Sequence, residues 1–67
     1  MDREKEMRLL LWLKQHPRFT TRELMKFLVS LGYKPGSARN IITHLRLEGV
    51  IEEIGKEGHT VVYRSCV

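Results

Sequence analysis

The excess of basic over acidic side chains lies in the middle of the chain, between Glu23 and Glu48, among residues that can form hydrogen bonds. Residues 24–47 contain no Asp or Glu, yet they carry four cationic side chains, namely Lys26, Lys34, Arg39 and Arg46. These four account for the whole formal net charge of +4, because the other basic and acidic residues balance. A local basic surface attracts polyanions, since each neutralised phosphate releases condensed counterions. Charge alone is equally consistent with a solvated face that simply lacks acidic residues.

The residue types and their spacing do not indicate catalysis or the binding of a metal or small molecule. The sequence has no glycine-rich phosphate loop, no carboxylate pair in an apolar setting and no nucleophile beside a base. The three histidines lie far apart, which argues against a metal site. A chain of 67 residues also leaves little room to enclose a pocket. We therefore expect no enzyme activity, no cofactor, no metal and no small-molecule substrate.

Cysteine usage and hydropathy indicate the compartment. Cys66 is the single cysteine, which excludes an internal disulfide and fits a reducing environment. The mixed-charge N-terminus differs from a signal peptide, and no apolar run approaches the roughly 18 residues of a membrane span. We expect a cytoplasmic protein, nucleoid-associated if the source is prokaryotic. Cys66 is expected to be a spare thiol, with an intersubunit disulfide or metal sensing as the alternatives.

Apolar periodicity and capping residues predict the first two helices. The first covers about residues 2–15 and ends before Pro17, because a residue that precedes proline avoids the helical region. The second begins at a capping box, with Thr20 as the N-cap and Glu23 reaching back. Gly32 supplies the left-handed residue that ends this helix.

The third helix is predicted from Pro35, which suits a first helical turn, to about Glu48. Its inward positions are apolar and spaced three or four apart: Ala38, Ile41, Ile42 and Leu45. At about 100° per residue, the opposite face holds a set that contains no acidic residue: Gly36, Arg39, Asn40, Thr43, His44 and Leu47.

The C-terminal part of the chain reads as a β-hairpin. Residues 50–54 form the first predicted strand, residues 55–58 a turn with glycine at both ends, and residues 59–65 a return strand rich in β-branched side chains. A lone hairpin is marginal in water, so it must pack on the helices. We expect an α+β fold, mainly α, with three helices followed by a hairpin in a single domain over residues 1–67.

The second and third helices are joined by a short turn that contains glycine, as in a helix-turn-helix. In that motif the second helix of the pair enters the major groove of DNA, and its N-terminal half contacts base edges. Here this helix is the one whose outer face lacks acidic residues. Charge and topology select the same surface, which favours DNA binding.

These segments resemble a known family. The run from Ala38 to Ile51, ARNIITHLRLEGVI, looks like the recognition helix of winged helix-turn-helix regulators, which ends in a leucine, a charged residue, glycine and two apolar residues. Residues 54–64, IGKEGHTVVYR, look like their wing, including the terminal Tyr-Arg. The arsenical-resistance and multiple-antibiotic-resistance repressor families are similar in this respect. The resemblance extends from Phe19 to Arg64 and implies a sequence-specific transcriptional regulator that binds double-stranded DNA.

The resemblance also implies which side chains contact DNA. Base contacts in the major groove would come from Arg39, Asn40, Thr43 and His44. Arginine can bind guanine O6 and N7, and asparagine can bind adenine N6 and N7, each with two hydrogen bonds. Phosphate contacts would come from helix starts, the end of the third helix and the wing, namely from Thr21, Lys34, Ser37, Arg46, Lys56, His59 and Arg64. About six to eight such groups would give a strong salt dependence. Glu57 at the wing tip would repel phosphate, and a surface or intersubunit role is the alternative for His44.

The first helix carries more apolar side chains than one face can hold, because residues 9–13 are all apolar. Exposed apolar patches usually mark interfaces. We expect a two-fold homodimer whose interface contains Leu9, Trp12 and Leu13, with the C-terminal strand as a further contact. Such a dimer would bind a pseudo-palindromic site with half-sites about one helical turn apart. The alternative is a monomer in which Leu9 or Trp12 packs under the wing.

Three other functions remain open. Winged helices also serve as protein-interaction modules that lack specific DNA binding. The four-residue spacing of Asn40 and His44 resembles the Asn and Tyr of Z-DNA-binding winged helices, although this wing lacks their proline and tryptophan. A non-specific chromatin role is the third, for which a charge of +4 is modest.

Overall fold

Three helices and a three-stranded antiparallel sheet make up the fold in the computed structural model, which describes residues 2–67. The arrangement is α+β and is compatible with a winged helix. In chain order, the elements are α1 (Arg3–Gln15), β1 (Arg18–Thr20), α2 (Thr21–Ser30), α3 (Pro35–Leu47), β2 (Ile51–Glu57) and β3 (Thr60–Ser65).

The ends of the helices are set by the local groups that the sequence indicates. Both halves of the capping box are present: the Thr20 hydroxyl accepts a hydrogen bond from the Glu23 backbone N–H at 3.2 Å, and the Glu23 carboxylate accepts one from the Thr20 N–H at 3.0 Å. After α2 and α3, the chain turns at Gly32 (φ 105°) and Gly49 (φ 75°), a backbone region that favours glycine. The predicted extents of α1 and α3 are confirmed to within about one residue, and α2 ends as predicted, with the left-handed Gly32 directly after its C-cap residue Leu31.

Strand β1 is an element that the sequence pattern does not predict. It has three residues, too few to show an alternation of apolar and polar side chains. It exists because it pairs with β3, more than 40 positions along the chain, in the register Arg18↔Arg64, Phe19↔Tyr63 and Thr20↔Val62. The strand order is β1-β3-β2, so β3 is the central strand.

The hairpin turn lies further along the chain than predicted. The residues expected in the turn, 55–58, belong to β2 as far as Glu57, and the turn itself is formed by Gly58 and His59. A β-bulge makes Ile54 the extra residue of β2. The bulge lies next to Gly55, the first glycine of the predicted turn. Pairing with β3 resumes after it, so the strand continues to Glu57 instead of turning at Gly55.

The core is built from all three helices and from the sheet. Its aromatic part is continuous, because the Trp12 ring lies 5.2 Å from both Phe19 and Phe27, and Phe19 stacks on Tyr63 at 5.9 Å. The side chains with no exposed surface are Leu13, Leu24, Leu28 and Ala38. No helix within residues 2–67 is long and apolar enough to cross a bilayer.

Two side chains of α1 that we expected at a dimer interface belong to the core. Leu9 and Leu13 are 2% and 0% exposed within a single chain, so the prediction that they form a dimer interface is wrong. Trp12 is half-buried and packs against the same core. The core takes positions 9 and 13, one turn apart, and this leaves Leu10 and Leu11 exposed. A run of five apolar residues has no periodicity, and therefore the sequence could not show which of them point inward.

Candidate nucleic-acid interface

Helix α3 starts in a setting that suits anions. Four residues connect it to α2, and Pro35 occupies its first turn. Lys34 is the N-cap residue, and the first turn contains no acidic side chain. The N-terminal end of a helix carries a partial positive charge and free N–H groups, and Lys34 adds a full charge beside them. This end of α3 is therefore electropositive and exposed.

The outer face of α3 carries all four side chains predicted to contact bases. Arg39, Asn40, Thr43 and His44 are exposed, while the opposite face is buried through Ala38, Ile42 and Leu45. The Thr43 hydroxyl donates a hydrogen bond to the Arg39 backbone carbonyl at 3.1 Å. This bond uses the hydroxyl proton, so the lone pairs and methyl group of Thr43 remain for a partner. The helical periodicity correctly places this set on one exposed surface.

The two flanks of this face have different surroundings. Toward α1, Ser37, Asn40 and His44 form one wall of a groove of about 550 Å³. Its other wall and floor are mostly apolar and include Leu10 of α1. Toward the sheet, Arg46 reaches the β2–β3 hairpin. Asn40 and His44 thus lie on the α1 side of the outer face, and Arg46 lies on the sheet side.

Arg46 is held between α3 and the hairpin. Its guanidinium lies 5.8 Å from the centroid of the Tyr63 ring and is 3.5 Å from a carboxylate oxygen of Glu53. The Glu53 carboxylate compensates the charge of Arg46, and any phosphate contact must compete with this pair. Sequence spacing does not show the pairing, because it depends on how α3 packs against β2.

Arg64 is compensated in the same way on the hairpin. It donates a hydrogen bond to Glu52, which lies directly opposite in the β2–β3 register. This hydrogen bond and the attraction between the two charges raise the pKa of the Arg64 guanidinium above its ordinary value. The predicted hairpin does not show this pair, because a turn at residues 55–58 would place Arg64 opposite Gly49. The bulge at Ile54 and the later turn bring Glu52 opposite Arg64.

The other candidate cations are uncompensated. Of the ion pairs formed among residues 2–67, none includes Lys34, Arg39 or Lys56. Lys56 is exposed near the end of β2, and His59 is exposed in the adjoining turn. Among the residues predicted to contact DNA, the uncompensated cations are therefore located at the start of α3, on its outer face and near the tip of the hairpin.

Thr21 and Ser37 are at helix starts, as expected, but in different environments. Ser37 is exposed in the first turn of α3. Thr21 is half-buried at the start of α2, and its hydroxyl donates a 3.4 Å hydrogen bond to the Val61 carbonyl of β3. Thr21 thus links α2 to the sheet, and its hydroxyl proton is already used inside the molecule.

Within the described residues, no three His, Cys, Asp or Glu side chains are placed to hold a metal ion.

Comparisons with known proteins assign neither a family nor a function to this chain. No family model, no curated protein and no solved structure matches this chain.

Proposed function

We propose that this protein is a winged helix-turn-helix transcriptional regulator that binds a specific sequence of double-stranded DNA. In this proposal α3 lies in the major groove and the β2–β3 hairpin is the wing on the flanking backbone. The observation that carries the proposal is the outer face of α3, which is exposed, free of acidic side chains and rich in groups that hydrogen-bond to bases. Arg39 is its uncompensated cation.

The size of α3 suits the groove. Its 13 residues give a length of about 20 Å, and a helix with side chains is about 10–12 Å wide, close to the roughly 12 Å of the major groove. Arg39 and Asn40, in the N-terminal half, are positioned to contact base edges, as the second helix of a helix-turn-helix does. Thr43 lies one turn further along and offers a methyl group and acceptor lone pairs.

The charges that pair within the chain limit the number of strong phosphate contacts. Arg46 and Arg64 are compensated by Glu53 and Glu52, whereas Lys34, Arg39 and Lys56 are free. Lys34 and Lys56 are the uncompensated cations among the proposed phosphate contacts. At −0.9 per neutralised phosphate, the slope of log affinity against log salt is expected near −2 for one protomer. This is a weaker salt dependence than the sequence alone suggested.

A second function is favoured by one residue on the same face. Leu47, at the C-terminal end of α3, is 79% exposed. A leucine this exposed on the outer face of α3 fits a protein partner, which would make the domain an interaction module. A thymine methyl group is the contact that Leu47 would make on DNA.

Selection of bound sequences from a random duplex pool separates the two functions. We expect enrichment of one motif at about 150 mM salt, where screening suppresses non-specific binding. Titration of that motif against a scrambled duplex then measures specificity. Absence of an enriched motif, together with absence of affinity for duplex in dilute buffer, would contradict the DNA-binding proposal and favour the interaction module.

A further inference from the structure

Helix α1 has a second apolar face on the side opposite the core. Leu9 and Leu13 are buried, yet Met7, Leu11 and Leu10 remain 65%, 55% and 37% exposed. Exposed apolar side chains that cluster on one helix are typical of an interface.

The exposed side chains of α1 follow a regular spacing. Glu4, Met7, Leu11 and Lys14 are separated by three, four and three residues, which aligns them along one side of a helix. We call these four residues the α1 seam. Met7 and Leu11 form its apolar centre, and its two ends carry opposite charges. All four side chains are exposed.

We propose that the α1 seam pairs with the α1 seam of a second copy of this chain, in an antiparallel, two-fold symmetric arrangement. In this register, Met7 of one protomer packs against Leu11 of its partner. Glu4 of one protomer then faces Lys14 of its partner, and two-fold symmetry repeats the contact. A parallel pair would instead bring Glu4 to Glu4 and Lys14 to Lys14, so the charges select the antiparallel orientation.

The flanks of the seam are compatible with this pairing. On one side, the partly exposed Leu10 meets its own counterpart across the two-fold axis, which covers more apolar surface. On the other side, Arg8 approaches its counterpart, but each Arg8 is already bound to Glu4 of its own chain at 3.0 Å. That ion pair reduces the repulsion between the two Arg8 side chains, and Lys14 of the partner must share the Glu4 carboxylate with Arg8.

The pairing is expected to be weak and dependent on concentration. One 13-residue helix offers less than the roughly 800 Å² that each partner buries in an interface of standard size. The pairing does not rest on the proposed DNA binding, because every contact lies on α1 and the test contains no DNA.

Charge reversal provides the test, with sedimentation equilibrium over a roughly hundredfold concentration range as the measurement. We expect the wild type to approach twice the 7.9 kDa monomer mass at the upper end. Glu4→Lys and Lys14→Glu should each remain monomeric there, because each places like charges at both ends of the seam. An equimolar mixture of the two variants should regain the dimer mass, since a seam with two positive ends then faces a seam with two negative ends. The double variant should dimerise alone.

If these substitutions acted only by destabilising α1, the double variant would not dimerise. Each substitution places an unfavourable charge at an end of α1, so the helix would be weakest when both are combined. Circular dichroism of every variant checks that α1 is folded. Lys56→Glu, the same charge change on the hairpin, should leave the mass unchanged, and Leu11→Ser should abolish the dimer.

Three results would overturn the proposal. The first is a wild type that stays monomeric throughout the range. The second is a set of single variants that dimerise like the wild type. The third is a pair of monomeric variants whose mixture also stays monomeric, which would exclude the antiparallel register.

Discussion

Arg39 and Lys56 represent two kinds of DNA contact expected from individual side chains. Arg39 lies on the outer face of α3, where it can reach base edges, and Lys56 lies on the hairpin, where it can reach only the backbone in the proposed geometry. Neither has a carboxylate partner among residues 2–67. The two side chains therefore give different predictions for specific and random DNA.

Arg39→Ala should weaken binding to the selected site by about 1–3 kcal/mol and binding to random duplex much less, because it removes a bidentate base contact. Anisotropy titrations of both duplexes measure the two losses. Arg18→Ala removes an uncompensated charge from β1, where no DNA contact is proposed, and should change neither by more than about 0.5 kcal/mol. If Arg39→Ala weakened binding to the two duplexes equally, Arg39 would not contact bases.

Lys56→Ala should weaken both duplexes by the same factor, because a phosphate contact carries no sequence information. The slope of log affinity against log salt should fall in magnitude by about 1. Titrations at several salt concentrations provide both quantities. A sequence-dependent loss would show that the hairpin tip reads DNA directly and that its role in the proposal is wrong.

At the scale of the elements, the sequence predicts the features that depend on residues close together in the chain, such as helix starts and helix faces. The helix starts follow from Thr20, Glu23 and Pro35, whose effects act within one turn, and helical periodicity places the four base-reading candidates on one exposed face. Strand β1 is missed because its pairing partner is distant in sequence. The internal partner of Arg46 is missed for the same reason, since no local pattern brings α3 to Glu53.

Two glycines offer a matched test of backbone conformation. Gly32→Ala should destabilise the fold by about 1–2 kcal/mol, because φ is 105° there and an L side chain is strained. Gly36→Ala should stabilise the fold by about 0.5 kcal/mol, because Gly36 is helical and a methyl group there would point into open space. Chemical denaturation of both variants measures the difference. Equal effects would show that the tight turn after α2 does not need its left-handed residue.

At the scale of the whole molecule, a domain of 67 residues has a small reserve of stability, on the order of 3–10 kcal/mol. Leu13→Ala should cost about 2–5 kcal/mol, because this side chain is completely buried where α1 meets the core. We expect the variant to be largely unfolded or to melt far below the wild type, as circular dichroism would show. Leu47→Ala, at an exposed leucine, should cost less than about 0.5 kcal/mol. A small effect at Leu13 would indicate that α1 is not part of the cooperative core.

The strand order of the sheet also determines when the molecule can assemble during translation. Strand β3 separates β1 from β2 in space but follows both in the chain. Until Thr60–Ser65 leave the ribosome, neither earlier strand has a neighbour, and at about 5–20 residues per second β1 waits roughly 2–9 s. Helices can form during that interval, but the closing of the sheet must be a late and collective event. The brevity of β1 then has a benefit, because three unpaired residues offer little template for aggregation while the nascent chain waits.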